Sequence, residues 1–208
     1  MIDTRGEVHV YRLEPAAGEA DQTVLSGDER ARAARFRFPA DRSRFVRCRV
    51  AVRRIAGRYL DRAPGELVFT AAPGDKPLLE GGGLELSWSR CATLTLIAVR
   101  SGGAIGVDVE DVRGALDVRE LAERSFTPAE LAEWQDLPAE AQPHAFYVGW
   151  TRKEALLKGR GVGFAVPPET LDVRAAPDGW TLVELPLGPA WVGALAAEGA
   201  AAFRWCEL

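Results

Sequence analysis

Two acidic residues lie two positions apart in a segment with the alternation of a β-strand. The segment reads Ile-Gly-Val-Asp-Val-Glu over residues 105–110, and side chains two apart in a strand leave the same face. Asp108 and Glu110 would therefore point the same way, while Val107 and Val109 face a core. Carboxylate oxygens on a rigid strand suit Mg²⁺, which keeps several waters and takes phosphate oxygens as further ligands. The alternative interpretation is an ordinary strand end with solvated acids.

A second candidate group lies in residues 150–158, Trp-Thr-Arg-Lys-Glu-Ala-Leu-Leu-Lys. The chain has 23 arginines but only three lysines, and Lys153 and Lys158 fall in this stretch. A lysine ammonium is a compact charge on a flexible stem, so its retention in an arginine-rich chain indicates a need for that shape. Glu154 and Lys158 also have the i,i+4 spacing of an ordinary surface ion pair on a helix. Three carboxylates beside lysines together predict a magnesium site that handles phosphate.

Charge is unevenly distributed along the chain. The formal net charge is −4 over 208 residues, which does not point to nucleic acid as a partner. Residues 28–62, however, contain twelve arginines and four acidic residues, a local net charge of +8. A basic surface of this kind attracts anionic ligands or partners. The hydrophobic fraction of 47% is sufficient for a packed core.

Cys48, Cys91 and Cys206 are the only cysteines, an odd number without the spacing of a metal site. Free thiols are typical of a reducing compartment, so we expect a cytoplasmic protein. The sequence has no basic-then-apolar leader and no long apolar run, which argues against secretion and membrane insertion. It also has no Gly-x-Ser-x-Gly motif and no Cys/His ligand cluster, which disfavours serine-hydrolase and zinc chemistry.

Local signals predict where the helices and strands lie. Ser26 and Glu29 have capping-box spacing and open a helix that Pro39 ends, and Thr127 with Glu130 opens a later one. Helices are predicted after Ser26, after Pro39 and at 118–124, 128–135 and 144–158. Strands are predicted at 8–13, 67–70, 84–89, 93–100, 104–110, 180–185, 191–197 and 203–207.

The order of these elements predicts an α+β fold made of two similar subdomains in tandem, a pseudo-dimer. Each subdomain would have a small, mostly antiparallel sheet packed by helices, and about a hundred residues is a normal size for a small domain. The predicted units are residues 1–102, with the basic helices, and residues 103–208, with the acidic strand and the lysine-bearing helix. The halves show no close sequence identity, so the duplication rests on element order alone.

Taken together, these segments resemble the 4′-phosphopantetheinyl transferases, and the length and element order resemble their single-chain Sfp-type branch. The resemblance combines residues 106–110, 126–130 (Phe-Thr-Pro-Ala-Glu) and 150–158. Residues 75–77, Asp-Lys-Pro, resemble the family's Gly-Lys-Pro turn, and the arginine-rich segment 34–44 resembles its N-terminal basic helix pair. No single segment is specific, but the combination is, and it implies an active site between two α+β halves.

The resemblance implies transfer of the phosphopantetheine arm of coenzyme A to a serine of a carrier protein, with release of 3′,5′-ADP. It implies that Asp108, Glu110 and Glu154 hold Mg²⁺, or Mn²⁺ in its place, against the pyrophosphate. Glu154 would accept the serine proton and Lys158 would neutralise charge in the transition state, so these two are the implied catalytic residues. The residues expected to bind coenzyme A are Arg44, Lys76, Ser87, Trp88, Asp108, Lys153 and Lys158, with Arg32 as a further candidate.

One position departs from the family pattern. The family has Ser-His-Ser or Ser-His-Thr on a strand before the metal motif, and its histidine contacts the 3′-phosphate of coenzyme A. This chain has Ser87, Trp88 and Ser89 there. An indole donates one hydrogen bond and carries no charge, so Trp88 would stack on adenine or leave the phosphate to Lys76 and the arginines. We therefore expect weaker discrimination between coenzyme A and dephospho-coenzyme A than in histidine-bearing relatives.

The expected partner is an acidic apo carrier protein, because it would complement the basic N-terminal half. Two fused halves make a monomer the expected state. Fatty-acid, polyketide, nonribosomal-peptide and lysine-pathway carriers all fit, and the alanine- and arginine-rich composition suggests a GC-rich bacterial genome and secondary metabolism. Two alternatives stay open. A carrier-binding module that no longer transfers is suggested by Trp88 but disfavoured by the complete acidic set, and a nucleic-acid protein is disfavoured by the overall acidity.

Overall fold

The computed structural model describes residues 2, 4, 6–14, 20–70, 76–113 and 117–208. Its helices are α1 (Gly27–Ala34), α2 (Pro39–Leu60), α3 (Val118–Ser125), α4 (Pro128–Gln135) and α5 (Gln142–Arg160). Its strands are β1 (Val8–Leu13), β2 (Phe69–Thr70), β3 (Leu78–Leu79), β4 (Glu85–Arg90), β5 (Thr95–Arg100), β6 (Ile105–Asp111), β7 (Trp180–Glu184), β8 (Trp191–Glu198) and β9 (Phe203–Cys206).

Two of the predicted helix starts are confirmed by their capping hydrogen bonds. Glu29 N–H donates to Ser26 Oγ at 3.2 Å and Ser26 N–H donates to the Glu29 carboxylate at 2.9 Å, which caps α1. Thr127 and Glu130 form the same reciprocal pair at the start of α4, at 3.2 and 2.8 Å. Pro39 occupies the first turn of α2, where a missing backbone N–H has no cost. Short-range sequence signals thus determine where these helices begin.

The sheets are small and mostly antiparallel. One has four strands in the order β4-β5-β1-β9, and another has three strands in the order β6-β8-β7. β2 and β3 form a separate two-stranded pair. With helices packed on these sheets, the predicted α+β class is confirmed. The similarity of the two halves stays a prediction.

The last strand, β9, lies in the sheet of the first half. It pairs in parallel with β1, with Val8 opposite Phe203 and Tyr11 opposite Cys206. The sequence analysis had grouped this strand with residues 103–208. The structure therefore places β9 outside the sheet of its own predicted unit, in the four-stranded sheet beside β1. A boundary after residue 102 remains a prediction for the rest of the chain.

One apolar core joins the two larger sheets. One cluster combines Val10 and Leu96 of the four-stranded sheet with Val107 and Leu195 of the three-stranded sheet, all at most 2% exposed. The opposite face of the four-stranded sheet packs against the apolar side of α2. The two sheets thus share one apolar interface, which fixes β4 beside β6. In the described part of the chain, no helix combines the length and apolar composition needed to cross a bilayer.

Candidate active site

Helix α5 lies directly against strand β6 because Gly106 has no side chain. A Cβ built at Gly106 would lie 1.9 Å from the Ala155 carbonyl oxygen and 2.4 Å from the Gly159 nitrogen. Real Cβ atoms do not approach backbone so closely, so any other residue would push the helix away. This contact brings the acidic face of β6 against the part of α5 that carries Glu154 and Lys158. The requirement at Gly106 was missed in the sequence analysis, which used this glycine only as part of a motif.

Asp108 and Lys158 form the centre of the site. Lys158 Nζ lies 2.6 Å from Asp108 Oδ1 and 3.4 Å from the Val107 carbonyl oxygen. The Ser89 hydroxyl donates to the same Asp108 oxygen at 2.7 Å and accepts from Lys158 Nζ at 3.2 Å. The Asp108 side chain is 5% exposed and that of Lys158 is 29% exposed, so the ammonium is open to a ligand while the carboxylate is enclosed. Three elements, β4, β6 and α5, thus meet at one charged cluster.

Two carboxylate oxygens in this cluster are buried without a hydrogen-bond partner among the described residues. They are Asp108 Oδ2 and Glu154 Oε1. Burial raises the pKa of Glu154, an effect that Lys158 opposes and Asp108 strengthens. A buried acceptor without a donor is costly, so these oxygens indicate a group that binds there, either a proton or a cation.

The pKa of Glu110 is also raised, by burial and by neighbouring carboxylates. Burial and then the Asp108 charge raise the pKa of Glu110 to about 7, although Trp150 donates a hydrogen bond to it and Lys158 lies nearby. The Glu154 charge adds to the increase. The Asp108 charge therefore acts on both Glu110 and Glu154, as expected for acids on facing elements.

The three carboxylates do not form a complete metal-binding site in this arrangement of side chains. Over the described ranges, no group of three or more His, Cys, Asp or Glu side chains is placed so that it could hold a metal ion. Asp108 Oδ1 is instead engaged by Lys158 and Ser89. The donor chemistry still suits Mg²⁺, since the uncompensated atoms are hard carboxylate oxygens. The predicted metal ligands therefore stay a prediction based on their chemistry.

Lys153 does not lie where the sequence analysis expected it. Its ammonium is fully buried and contacts Glu130 Oε2 at 2.6 Å, the Pro168 carbonyl oxygen at 2.9 Å and the Leu171 carbonyl oxygen. An ammonium has three N–H donors, and all three are engaged. The expectation that Lys153 reaches a phosphate is therefore wrong. Lys153 precedes Glu154 by one residue, about 100° around the helix, and that rotation turns it into the core instead of toward the site rim.

Ser87 is also not accessible to a nucleotide. It is 2% exposed, and its hydroxyl accepts a hydrogen bond from the Val107 N–H at 3.0 Å. This contact ties β4 to β6, so the expected role of Ser87 in binding coenzyme A does not fit its position. Ser89, two residues later on the same face, is the serine that reaches the site. Strand alternation placed both serines on one face, so the signal for Ser89 was present in the sequence.

Lys76 links the four-stranded and three-stranded sheets. Its Nζ donates to Glu85 Oε2 at 3.0 Å and to the Ile105 carbonyl oxygen at 2.8 Å, and its side chain is 11% exposed. These contacts join the start of β4 to the start of β6. A role for Lys76 in binding phosphate remains a prediction. Asp75, its neighbour in the predicted turn, lies outside the described residues.

Trp88 is half-buried and belongs to the α2 side of the sheet. The Arg49 guanidinium lies 4.7 Å from the centroid of its ring, and Phe69 meets it edge-on at 6.3 Å between centroids. Arg44 lies elsewhere on α2, roughly 140° around the helix from Arg49. It pairs with Asp41 and lines a cleft of about 640 Å³. The structure thus separates Arg44 from Trp88, and the part of each in binding coenzyme A stays a prediction.

Comparison with known proteins agrees with this geometry. The family model described as "ACPS: 4′-phosphopantetheinyl transferase superfamily" matches residues 104–195, which include β6 and α5. The chain is 37% identical over 216 residues to the 4′-phosphopantetheinyl transferase HetI of Nostoc sp., covering 96% of this chain and 90% of that protein. It is 29% identical over 184 residues to a 4′-phosphopantetheinyl transferase of Bacillus subtilis, covering 86% and 80%. It is 25% identical over 181 residues to 4′-phosphopantetheinyl transferase Sfp of Bacillus subtilis strain 168, covering 85% and 80%.

Proposed function

Because the chain belongs to the 4′-phosphopantetheinyl transferase superfamily and is of the Sfp type, we propose that it transfers 4′-phosphopantetheine from coenzyme A to a serine of an apo carrier protein. The observation that carries this proposal is the contact of Asp108 with Lys158 beside two buried, unpartnered carboxylate oxygens. Such a cluster offers both an ammonium for phosphate and carboxylates for a cation or a proton. These are the groups that a phosphoryl transfer needs, since positioning and electrostatics supply most of its catalysis.

The reaction breaks one phosphoanhydride bond and forms one phosphate ester. The serine oxygen attacks the phosphorus that carries the pantetheine arm, and the bond from that phosphorus to the bridging oxygen breaks. The leaving group is 3′,5′-ADP, and the serine proton goes to Glu154. Burial raises the pKa of this carboxyl group, which brings it closer to neutral pH and makes its carboxylate a better base there.

Lys158 provides positive charge at the reacting phosphate. Its side chain is 29% exposed, which makes it more accessible than Lys76 at 11% or Lys153 at 0%. Ser89 and Asp108 hold its Nζ in one place through hydrogen bonds at 3.2 and 2.6 Å. An ammonium fixed in this way stabilises charge that develops in the transition state without having to reorganise.

Asp108, Glu110 and Glu154 would hold a divalent cation, Mg²⁺ in the first instance. The fit rests on the two unpartnered oxygens and on the raised pKa of Glu110, since both show negative charge that the surrounding residues do not compensate. When bound, the cation would neutralise pyrophosphate charge and polarise its oxygens.

The carrier partner is proposed from charge. Residues 28–62 carry a local net charge of +8, and α2 exposes arginines such as Arg54 and Arg58. A carrier domain of acidic character would be drawn to this half by long-range attraction.

Intact-mass spectrometry tests the proposal. The protein is incubated with coenzyme A, Mg²⁺ and a panel of apo carrier proteins, and we expect a mass gain of one phosphopantetheine on at least one carrier. A carrier with its acceptor serine replaced by alanine should gain nothing, and the Glu154→Gln enzyme should modify the same carriers at least about 100-fold more slowly. If no carrier in a panel spanning the fatty-acid, polyketide and nonribosomal-peptide types is modified, the proposed activity is wrong.

A further inference from the structure

The hydroxyl group of Thr93 uses its full hydrogen-bonding capacity. Thr93 lies in the connection between β4 and β5, and its Oγ1 donates to Asp111 Oδ2 at 2.7 Å. The same oxygen accepts from Trp191 Nε1 at 2.8 Å and from Arg113 Nη2 at 2.9 Å. A hydroxyl has one proton to donate and two lone pairs, so all three are engaged. The connection after β4, the end of β6 and the start of β8 thus meet at one oxygen atom.

The Asp111 carboxylate is fixed at both of its oxygens. Arg113 donates to Oδ1 from its backbone N–H at 3.1 Å and from Nε at 2.9 Å, and to Oδ2 from Nη2 at 2.6 Å. Together with the Thr93 hydroxyl, these are four hydrogen bonds to one carboxylate. A carboxylate has about four lone-pair sites, so the orientation of the Asp111 side chain is determined by Thr93 and Arg113.

Trp191 ties the neighbouring strand to the same point. It is the first residue of β8 and lies directly opposite Asp111, the last residue of β6, in the antiparallel ladder. The guanidiniums of Arg12 and Arg113 lie 4.8 and 5.4 Å from the centroid of its ring. The ring also packs at the margin of the apolar core between the two larger sheets. Both strands of this last rung are therefore anchored to Thr93.

The Thr93 contact is one of several side-chain bridges between β4 and β6. These strands belong to different sheets, so side chains join them instead of a shared ladder of backbone hydrogen bonds. The bridges are spaced along the whole length of β6. In order along the chain they are Lys76 to Ile105, Ser87 to Val107, Ser89 to Asp108 and Thr93 to Asp111. The third bridge belongs to the proposed active site, and the fourth holds the strand end beyond it.

Glu110 lies between these last two bridges. Successive side chains leave opposite faces of a strand, so Asp111 leaves the core face that Val107 and Val109 occupy, and Glu110 leaves the face of Asp108. The end of a strand opens more easily than its middle. Because Asp111 is the last residue of β6, whatever fixes its side chain also fixes the backbone from which Glu110 projects.

We propose that Thr93 is a positioning residue for the cation site: by anchoring Asp111 and Trp191 it holds Glu110 where it can bind a divalent cation. The inference rests on the proposed function for the role of the carboxylates. Thr93 acts only through the end of β6. Its effect is preorganisation, since a ligand that is already ordered loses less conformational freedom when the cation binds.

The cation dependence of transfer tests the proposal. The Mg²⁺ concentration that gives half-maximal activity is measured for wild type, Thr93→Val and Thr93→Ser. Valine keeps the shape of threonine but removes the hydroxyl, and the concentration should rise about 3- to 10-fold, less than the roughly 10- to 100-fold typical for a direct partner of a metal ligand. At saturating Mg²⁺, kcat should stay within about twofold of wild type, because excess cation fills the site by mass action. Thr93→Ser keeps the hydroxyl and should restore the wild-type midpoint.

A binding measurement gives a readout independent of activity. Mn²⁺ is titrated into the protein without coenzyme A or carrier, and free Mn²⁺ is read from its electron paramagnetic resonance signal. The Kd for Mn²⁺ should be raised in Thr93→Val by the same factor as the Mg²⁺ midpoint. Trp191→Phe keeps an aromatic ring but loses the N–H donated to Thr93. It should shift the Kd in the same direction, and it takes the place of the valine variant should that variant not fold.

A matched control separates positioning from general stability. The Thr181 hydroxyl donates to the Gly199 carbonyl oxygen at 2.7 Å and accepts from the Ala201 N–H at 3.2 Å, on the β7 side of the three-stranded sheet. Thr181→Val should lower Tm and leave the Kd for Mn²⁺ unchanged.

The outcomes distinguish this inference from its premise. Failure to modify any carrier would refute the proposed function, and the Mn²⁺ titration would still decide the role of Thr93. Three results would overturn the inference: equal Mn²⁺ affinity in wild type and Thr93→Val, an equal loss in Thr181→Val, or a wild type that does not bind Mn²⁺. A serine variant as weak as the valine variant would also overturn it, because the hydroxyl would then not be the group that matters.

Discussion

Replacing Lys153 with methionine should destabilise the protein without weakening its binding of coenzyme A. The Lys153 ammonium is fully buried and contacts Glu130, Pro168 and Leu171, so it has no donor left for a ligand. Methionine keeps most of the apolar stem but removes the charge. Glu130 would then be a buried carboxylate without its cation, although its oxygens still accept from the Val173 and Thr127 N–H groups.

The magnitude follows from that unpaired charge. Breaking a buried ion pair by removing one partner costs about 3–5 kcal/mol of unfolding free energy, because the remaining charge is left desolvated. For a chain of this size each kcal/mol lowers Tm by about 2–4 °C, so Lys153→Met should lower it by about 6–20 °C. Burial, which lowers the pKa of Lys153, is opposed chiefly by Glu130. The buried charges of Lys153 and Glu130 therefore stabilise each other.

The assay measures Tm by differential scanning calorimetry. It also measures the KM for coenzyme A at a temperature where the variant is folded. Arg124→Met is the matched control, because Arg124 pairs with Glu120 on an exposed helix face and such pairs contribute about 0–1 kcal/mol. Adding Glu130→Gln to Lys153→Met should destabilise less than the sum of the two single changes, since no buried charge is then left unpaired. A Lys153→Met protein of normal Tm with a raised KM for coenzyme A would refute the structural role and restore a ligand-binding one.

Three further predictions concern the charged cluster. Glu154→Gln and Asp108→Asn should each lower kcat/KM for transfer by at least about 100-fold while Tm stays near wild type, and near-normal turnover of either variant would show that the site is elsewhere. Lys158→Met should lower kcat about 100- to 1,000-fold with a smaller change in KM, as single-turnover kinetics would show. In cation-free buffer Tm should fall as pH rises from about 4.5 to about 7, because Glu110 with its raised pKa binds a proton in the folded chain that the unfolded chain releases. Glu110→Gln should flatten that slope, and an unchanged slope would contradict the assignment.

The local structure was predictable because its signals are short-range. The capping pairs that begin α1 and α4 each lie within four residues, and alternation alone indicated β1 at Val8–Leu13. Asp108 and Glu110 leave one face of β6 for the same reason, since a period of two needs no knowledge of the fold. Their meeting with α5 was implied only by resemblance, and the structure supplies its physical cause in Gly106.

What could not be predicted depends on contacts between distant parts of the chain. Lysine is rarely buried without a partner, and the partner of Lys153 is Glu130, 23 residues away on another helix. Local spacing therefore favoured the accessible orientation, which was wrong. The pairing of β9 with β1 joins residues almost 200 positions apart, such as Val8 and Phe203, and a strand pattern carries no information about which strand it will pair with.

The charge balance of the cluster connects the predictions about protons and cations. Asp108, Glu110 and Glu154 face a single ammonium, Lys158, so full ionisation would leave an enclosed net charge of about −2, which burial makes costly. A proton on Glu110 and a divalent cation both relieve that charge, so each should weaken the binding of the other. Saturating Mg²⁺ should then raise Tm more at about pH 8 than at about pH 5, and it should remove the pH dependence that Glu110 gives to the cation-free protein. If Mg²⁺ raised Tm equally at both pH values, cation and proton would not be sharing these carboxylates.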